Sequence, residues 1–241
     1  MAKPTLGEFQ LSPLGDCVLL IELGADASEE TALRVHAVAA HLLAKPPPGV
    51  RDVVAAVCTV ALHYDPLAVD PGSELATPFE ALAQQVKSTL ASLDLAAAPA
   101  PSELEIPVCY GGDFGPDLEA LAQVHGMTGD AVIELHSAPL YRVQMLGFAP
   151  GFAYLAGLDE RIATPRRPNP RTRVPAGSVA VGGVLTGVYP FDLPGGWHLL
   201  GRSPLRFFDP ERERPSLLVA GDRVRFVPVT ADEYARLEDD A

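Results

Sequence analysis

The sequence predicts an α+β protein with an N-terminal α/β two-layer domain and a C-terminal β-barrel or sandwich. In the first hundred residues, apolar β-branched segments alternate with segments of helical periodicity. From Tyr141 onward, short β-rich segments alternate with glycine and proline turns, as is typical of antiparallel barrels and sandwiches. A stretch rich in alanine and proline, 94–104, predicts a linker between domains at 1–93 and 105–241.

The first half of the N-terminal domain contains strand and helix signals in turn. "EFQLSPLGDCVLLIEL" predicts two strands around a Pro-Leu-Gly-Asp turn. "SEETALRVHAVAAHLLAK" predicts a helix with Leu33, Ala37, Ala40 and Ala44 at helical spacing, and "KPPPG" ends it because proline cannot continue a helix. "VRDVVAAVCTVALHYDP" predicts one or two further strands.

A second helix is predicted over "TPFEALAQQVKSTLASL". Thr77 fits the N-cap, Pro78 the first helical position, and Glu80 completes a capping box. The predicted order of strands, helix, strands and helix indicates a small sheet with helices on one face.

The C-terminal part begins with one predicted strand, "EIPVCY", followed by two short helices. "GPDLEALAQVHG" predicts the first, with Gly126 as its C-cap, and "TGDAVIELHS" the second. The predicted β-rich pieces are "YRVQMLGF", "SVAVGG", "TGVYPF", "GWHLLGRS", "LRFFD" and "DRVRFVPV". "TADEYARLEDD" predicts a short terminal helix.

Composition excludes several classes of function. A formal charge of −13 argues against nucleic acid as the main partner. No apolar run of membrane-spanning length exists, and the N-terminus lacks an apolar signal segment, so no membrane association is expected. Three widely spaced cysteines, Cys17, Cys58 and Cys109, are expected to be reduced core residues of a cytoplasmic protein. The histidines and cysteines lack metal-ligand spacing, so no metal site is expected.

Charge is unevenly distributed along the chain. Residues 1–141 carry 5 Lys/Arg against 19 Asp/Glu, whereas residues 142–241 carry 13 against 12. Five arginines lie between Arg161 and Arg173. Guanidinium groups in this density indicate either binding of a small anion or an acidic partner, or arginines that brace a long loop through carbonyl groups.

Two segments are candidates for a binding site. The loop 147–178 is dense in proline and therefore preorganised. It carries the ring side chains Phe148, Phe152 and Tyr154, the turn residue Pro150, the anion-binding candidates Arg166 and Arg171, and Ser178 at its end. The segment "TGVYPFDLPGGWHLLGRSP" adds Tyr189 and Trp197, with Gly195 and Gly196 permitting positive φ and close approach. The two segments together predict a shared cleft.

Nucleotide and hydrolase motifs are absent: the sequence has no G-x-x-x-x-G-K-[ST] and no G-x-S-x-G. Ser178 would act as a nucleophile only with a base beside it, and a serine that starts a strand is the simpler interpretation. His136 is a candidate base, although a structural histidine is the simpler interpretation there too.

Five segments together carry a resemblance to a known family. They are "PVCYGGDFGPDLEAL", "GFAPGFAYLAGL", "TPRRPNPRTRVPAGSVAVGG", "TGVYPFDLPGGWHLLGRSP" and "AGDRVRF". In this order they resemble the family of the B-type subunit of 5-oxoprolinase, also known as the Kip inhibitor or allophanate hydrolase subunit 1 family. The resemblance extends over nearly the whole chain.

The resemblance implies a fold and an activity. Its implied fold is an N-terminal α/β domain followed by a cyclophilin-like β-barrel. Its implied activity is ATP-dependent opening of 5-oxoproline to glutamate, together with the C-type and A-type subunits of 5-oxoprolinase. ATP, with or without Mg²⁺, would occupy a site shared with the partner subunit, because this chain has no P-loop. The implied alternatives are a regulatory protein that inhibits a sensor histidine kinase and a component of a urea or allophanate amidohydrolase. A peptidyl-prolyl isomerase follows only from barrel analogy.

Within that activity, Arg166 and Arg171 are the predicted catalytic residues. They would stabilise a transferring phosphate or hold the substrate carboxylate. Phe148, Pro150, Phe152, Tyr154, Ser178, Tyr189 and Trp197 are the predicted substrate-binding residues.

Overall fold

A computed structural model describes residues 6–72, 77–95 and 100–239. The chain divides into two compact units, Met1–Ala100 and Pro101–Ala241. Within the predicted linker, residues 96–99 lie outside the described residues, and its last two residues already belong to a strand that starts at Glu103. Across the described ranges, no helix has the length and apolar character needed to cross a membrane.

The N-terminal unit contains a four-stranded antiparallel sheet. Its strands are β1 (Gln10–Pro13), β2 (Val18–Glu22), β3 (Val50–Ala55) and β4 (Thr59–Tyr64). Their order in the sheet is β1-β2-β4-β3, so both hairpins form between consecutive strands. The predicted strands are confirmed, and "VRDVVAAVCTVALHYDP" forms two of them.

Two helices complete this unit, α1 (Glu29–Ala44) and α2 (Pro78–Ala91). The predicted capping box is present at α2, where Thr77 and Glu80 satisfy each other's backbone N–H groups. The predicted apolar face of α1 is partly wrong, since Leu33 is exposed. The helix buries Val35, Val38 and Leu42 instead, which lie at i, i+3 and i+7 on one face.

Alternate residues of the sheet pack against both helices. Leu19 and Ile21 of β2 and Leu62 of β4 are fully buried, whereas the residues between them are partly exposed. The same core includes Val38 of α1 and Val86 of α2. Both helices therefore cover one face of the sheet, which is the predicted two-layer arrangement.

The C-terminal unit has three helices, α3 (Leu118–Val124), α4 (Gly129–Ser137) and α5 (Ala231–Asp239). Gly126 follows the end of α3 with φ of +66°, the conformation for which glycine is favoured. A 3₁₀ turn lies at Glu160–Ile162. The remaining strands, in chain order, are β5 (Glu103–Tyr110), β6 (Tyr141–Leu146), β7 (Ala153–Ala156), β8 (Arg171–Val174), β9 (Ser178–Gly182), β10 (Leu185–Val188), β11 (Leu193–Gly195), β12 (His198–Arg202) and β13 (Arg223–Pro228).

Seven of these strands form a closed barrel in the order β10-β7-β6-β13-β5-β12-β9. The predicted α+β class and barrel are thus confirmed. Six of the strand pairs are antiparallel, but β13 and β5 pair in parallel over six residues, which the repeated hairpin pattern did not predict. The predicted β-rich piece "LRFFD" is not a strand, since only one isolated bridge forms there, between Phe208 and Ser216.

The three cysteines are unpaired, and their environments differ from the expectation that all are core residues. Cys109 on β5 is buried, whereas Cys58 is half-buried and Cys17 is exposed. Cys17 lies just before β2, in the turn where the chain reverses.

His136 of α4 is fully buried in the barrel unit and is held from both sides. Its Nε2 lies 2.8 Å from Thr186 Oγ1, and its Nδ1 lies 2.7 Å from the Tyr110 hydroxyl. Because Thr186 donates its proton to the Ala180 carbonyl, Nε2–H must donate to Thr186 and Nδ1 must accept from Tyr110. Burial lowers the pKa of His136 from 6.5 to about 3. His136 is therefore a neutral, structural histidine.

This burial gives a prediction for stability against pH. A histidine neutral in the fold but protonated in the unfolded chain favours unfolding as pH falls from 6.5 toward 3. From pH 7 to pH 5, His136 should remove about 2 kcal/mol from the unfolding free energy of the barrel unit. Trp197, the sole tryptophan, lies in this unit and allows the unfolding to be followed by fluorescence in urea.

The His136→Gln variant should lose this part of the pH slope even where its overall stability is lower. A His63→Gln variant, altered at an exposed histidine of the N-terminal unit, serves as the control and should keep the wild-type slope. Equal slopes for wild type and His136→Gln would contradict the prediction.

Candidate functional site

A cluster of aromatic rings lies on the outer face of the barrel wall. Along β7, Ala153 and Leu155 point into the barrel core, whereas Tyr154 belongs to a separate outer cluster, as does Phe152 just before the strand. The same alternation holds on β9, where Val179 and Val181 enter the core. We define the aromatic cluster as Phe152, Tyr154, Tyr189 and Trp197, with Phe148 at its edge.

The rings contact one another edge to face. Phe152 lies at the centre, with ring centroids 4.9 Å from Tyr154, 5.2 Å from Tyr189 and 5.6 Å from Trp197. Tyr154 and Trp197 are 5.8 Å apart. Phe152, Tyr189 and Trp197 are almost fully buried, and Tyr154 is half-buried. Burial raises the pKa of Tyr189, against an opposing backbone hydrogen bond from Trp197. The four residues thus lie together, and the shared cleft that the sequence predicts for them stays a prediction.

Glycine backbone forms the floor beneath the tryptophan. A Cβ atom on Gly182 of β9 would lie 2.6 Å from atoms of the Trp197 indole. On the neighbouring β10, a Cβ on Gly187 would lie 3.3 Å from both Trp197 and Phe152. The rings thus pack directly on the peptide groups of the strands, at a distance that a side chain would prevent.

Phe148 and Pro150 lie at the exposed edge of the cluster. Ala149–Phe152 forms a tight turn in which the Phe152 N–H donates to the Ala149 carbonyl at 3.0 Å. Pro150 and Gly151 occupy its centre, and Gly151 has φ of +79° as a type II turn requires. Phe148 is 61% exposed, has φ of +70°, and touches Phe152 with a centroid distance of 5.4 Å.

The ribbon formed by β8 and β11 packs against the cluster. Val174 of β8 is fully buried there, and Leu193 of β11 is partly buried. On β11, Gly195 approaches Tyr189 so closely that a Cβ would lie 2.3 Å from its hydroxyl. The missing side chain of Gly195 thus allows β11 to approach Tyr189 closely. The expected positive φ is not found at Gly195 or Gly196.

Residues 165–171, which we name the arginine loop, are anchored next to Trp197. The Pro165 carbonyl lies 2.9 Å from His198 Nε2, and the Arg167 N–H donates to the Gly196 carbonyl at 2.7 Å. Arg166, between these two anchors, is exposed, and its guanidinium carbon lies 5.8 Å from the Trp197 ring centre. This is a cation–π arrangement that leaves the donors of Arg166 on the solvent side.

Arg171 has a different partner from the one predicted. Its two terminal nitrogens donate to both oxygens of Asp117, at 2.7 and 2.9 Å. Arg167 donates to the same carboxylate at 3.1 Å. The planar end of Arg171 is therefore engaged within the chain and is not presented to a substrate anion.

Asp117 was not singled out from the sequence, although it contacts both candidate segments. It is buried, and its carboxylate also accepts the Leu199 N–H at 2.8 Å. Burial raises the pKa of Asp117, but the hydrogen bonds from Arg171 and Leu199 and the charges of Arg171 and Arg167 outweigh it, so the pKa is lowered. An acidic residue ahead of a helix looks like an N-cap in the sequence, and that pattern carries no signal of distant arginines.

Ser178 does not lie at the open side of the cluster. It starts β9, is fully buried, and its Oγ has no hydrogen-bond partner within the part of the chain that the structure describes. Likewise, within 6–72, 77–95 and 100–239, no group of three His, Cys, Asp or Glu side chains is arranged to hold a metal ion.

The fold defines the chain as a two-unit α+β protein with a closed β-barrel, and its candidate site is a cluster of aromatic rings beside an arginine. The family profile "Carboxyltransferase domain, subdomain C and D" matches residues 9–218. The chain belongs to this family. A curated relative in Bacillus subtilis (strain 168), named as the B-type subunit of 5-oxoprolinase, is 41% identical over 228 residues, which cover 94% of this chain and 95% of that protein. The resemblance found in the sequence is thereby confirmed.

Solved structures share the fold. The crystal structure of TTHA0988 is similar to this chain with a TM-score of 0.76 and 41% identity, over 89% of this chain. This chain spans only 40% of the TTHA0988 chain. The K. lactis urea amidolyase has a TM-score of 0.71 at 19% identity, over 99% of this chain and 16% of its own. That likeness shows a common fold alone.

The glycine floor yields a testable consequence. Gly182→Ala should displace the Trp197 ring, because the new methyl group would lie 2.6 Å from indole atoms, well inside van der Waals contact. We expect a loss of about 1–3 kcal/mol in unfolding free energy and a shift of the tryptophan emission maximum.

Gly196→Ala is the matched control. This residue is adjacent to Trp197, and its added Cβ would make only ordinary contacts, the nearest at 3.6 Å from the Arg167 carbonyl. Its emission spectrum should match the wild type. The packing derived above would be wrong if Gly182→Ala left the spectrum unchanged.

Proposed function

We propose that this chain is one component of an ATP-dependent 5-oxoprolinase, which opens 5-oxoproline to glutamate together with partner subunits of the C and A types. The near full-length relative of 41% identity is named as the B-type subunit of 5-oxoprolinase, and this supports the assignment. The likeness to urea amidolyase supports a shared fold and gives no information about the substrate. The unpaired cysteines are in keeping with a cytoplasmic location.

The observation that carries the proposed site is Arg166 above Trp197. 5-Oxoproline is a small lactam ring that bears one carboxylate. The exposed guanidinium of Arg166 offers donors for that carboxylate, and the half-buried ring of Tyr154 offers an apolar surface for the lactam. Phe148 at the exposed edge would shield the ring from water.

The chemistry itself requires more than this chain supplies. Opening a lactam means breaking a resonance-stabilised amide, and ATP would activate its carbonyl oxygen by phosphorylation. His136 is buried among Tyr110 and Thr186 and is not available as a base. Asp117 is already ion-paired. We therefore propose that this chain binds and orients the substrate, while ATP and the proton-transfer groups lie at a site shared with the partner subunit.

Arg166→Ala tests the site in a complex reconstituted with the A-type and C-type partners. Removing a charge-assisted hydrogen bond to the substrate should raise the KM for 5-oxoproline by about 10- to 100-fold. Arg166→Lys should recover part of this loss, because it keeps the charge but not the forked geometry. Glutamate release is the assay.

Arg236→Ala, at an exposed arginine of α5, is the control and should leave the KM unchanged. Unaltered kinetics for Arg166→Ala would show that the substrate binds elsewhere. A reconstituted complex that releases no glutamate, while the chain blocks autophosphorylation of a histidine kinase, would replace the proposed function by a regulatory one.

A further inference from the structure

Asp117 occupies a helix-capping position but does not cap the helix. It precedes the first residue of α3, where an aspartate side chain ordinarily accepts a hydrogen bond from the backbone of the first turn. No such bond is present at Asp117. Thr128, at the equivalent position before α4, does make one, to the Ala131 N–H. The carboxylate of Asp117 is thus turned away from its own helix and towards other groups.

Those other groups belong to the two segments that form the site. On one side the carboxylate takes both terminal nitrogens of Arg171 and one of Arg167, at the end and in the middle of the arginine loop. On the other side it accepts the Leu199 N–H, and the Asp117 N–H donates to the Leu199 carbonyl at 3.0 Å. Leu199 is two residues from Trp197.

Asp117 therefore contacts residues close in sequence to both Arg166 and Trp197. Arg166 directly precedes Arg167, which donates to Asp117. Trp197 lies two residues before Leu199, which also donates to Asp117.

The ring contact of Arg166 at 5.8 Å on an exposed surface is too weak to fix the loop alone. The hydrogen bonds of Pro165 and Arg167 described above hold only the start of the loop. The buried Asp117 carboxylate accepts four N–H groups from three residues and is a further, charge-assisted constraint that also reaches the end of the loop at Arg171.

We infer that Asp117 is a positioning residue for the proposed anion site: it holds the arginine loop against β12, whose first residue directly follows Trp197, and thereby places Arg166 over the ring. The identity of the substrate in this inference rests on the proposed function, but the placement of the arginine loop by Asp117 does not. In this arrangement Asp117 would act through Arg166 and not on the substrate itself, and it engages both terminal nitrogens of Arg171.

The first experiment uses the isolated chain and its sole tryptophan. Asp117→Asn should release the loop, expose Trp197, shift its emission maximum to longer wavelength, and raise acrylamide quenching about twofold. Arg171→Lys, which breaks the fork from the other side and keeps the charge, should give the same direction of change. It also keeps the inference testable where Asp117→Asn fails to fold.

Thr128→Ala is the matched control, because it removes a true helix cap in the same unit without touching the arginine loop. Its emission and quenching should equal the wild type. Wild-type emission in both Asp117→Asn and Arg171→Lys would overturn the inference, whatever the activity of the complex. This readout stays informative if the complex does not act on 5-oxoproline.

A double-mutant cycle in the reconstituted complex separates positioning from simple structural support. If Asp117 acts through Arg166, Asp117→Asn should raise the KM for 5-oxoproline about tenfold in the wild-type background with little change in kcat. In the Arg166→Ala background it should add less than twofold. Fully additive effects on KM would mean that Asp117 supports the fold alone, and would also overturn the inference.

Discussion

Strands buried on both faces are the constraint on which the site depends. In β7 and β9 one set of alternate residues fills the barrel and the other set packs against the aromatic cluster. Because side chains alternate along a strand, a slip of one residue would exchange the two sets. Barrel core and outer cluster are therefore specified by the same register. Gly182 and Gly187 belong to this arrangement, since their missing side chains let Trp197 and Phe152 lie on the sheet itself.

Two charged residues near the aromatic cluster, Asp117 and Arg166, lie in different environments. Asp117 lies in a buried position where its carboxylate is satisfied by N–H donors from both directions. Arg166 lies outside, above a ring, with its charge open to solvent. A buried, fully paired charge holds a loop in place, and an exposed one remains available to a ligand. In the function proposed above, this division would let a preorganised guanidinium recognise a small carboxylate.

Much of the fold and of the aromatic cluster was predictable from the sequence. The features that were not predictable share a cause. Local patterns gave the capping box at Thr77, the strands, and the meeting of Tyr154 with Trp197, since each depends on neighbouring residues or on dense ring and glycine motifs. The partner of Arg171 did not follow, because Asp117 lies 54 positions away and resembles an ordinary N-cap. Burial of Ser178 and exposure of Leu33 depend on which face of an element meets its neighbour, and periodicity alone leaves that undecided. The parallel pairing of β5 and β13 was not predictable because no local signal marks a contact between distant strands.

That parallel pair also bears on how the barrel comes into being. The first strand of the C-terminal unit hydrogen-bonds to a strand that is made about 120 residues later, over Glu103–Val108 and Arg223–Pro228. Bringing together two strands separated by a loop of this length costs conformational entropy and makes folding slow. On the ribosome, β5 must wait for almost the entire unit to emerge, and until then it keeps an unpaired edge. Nascent chains of this protein can thus associate through the unpaired edge of β5 until β13 pairs with it.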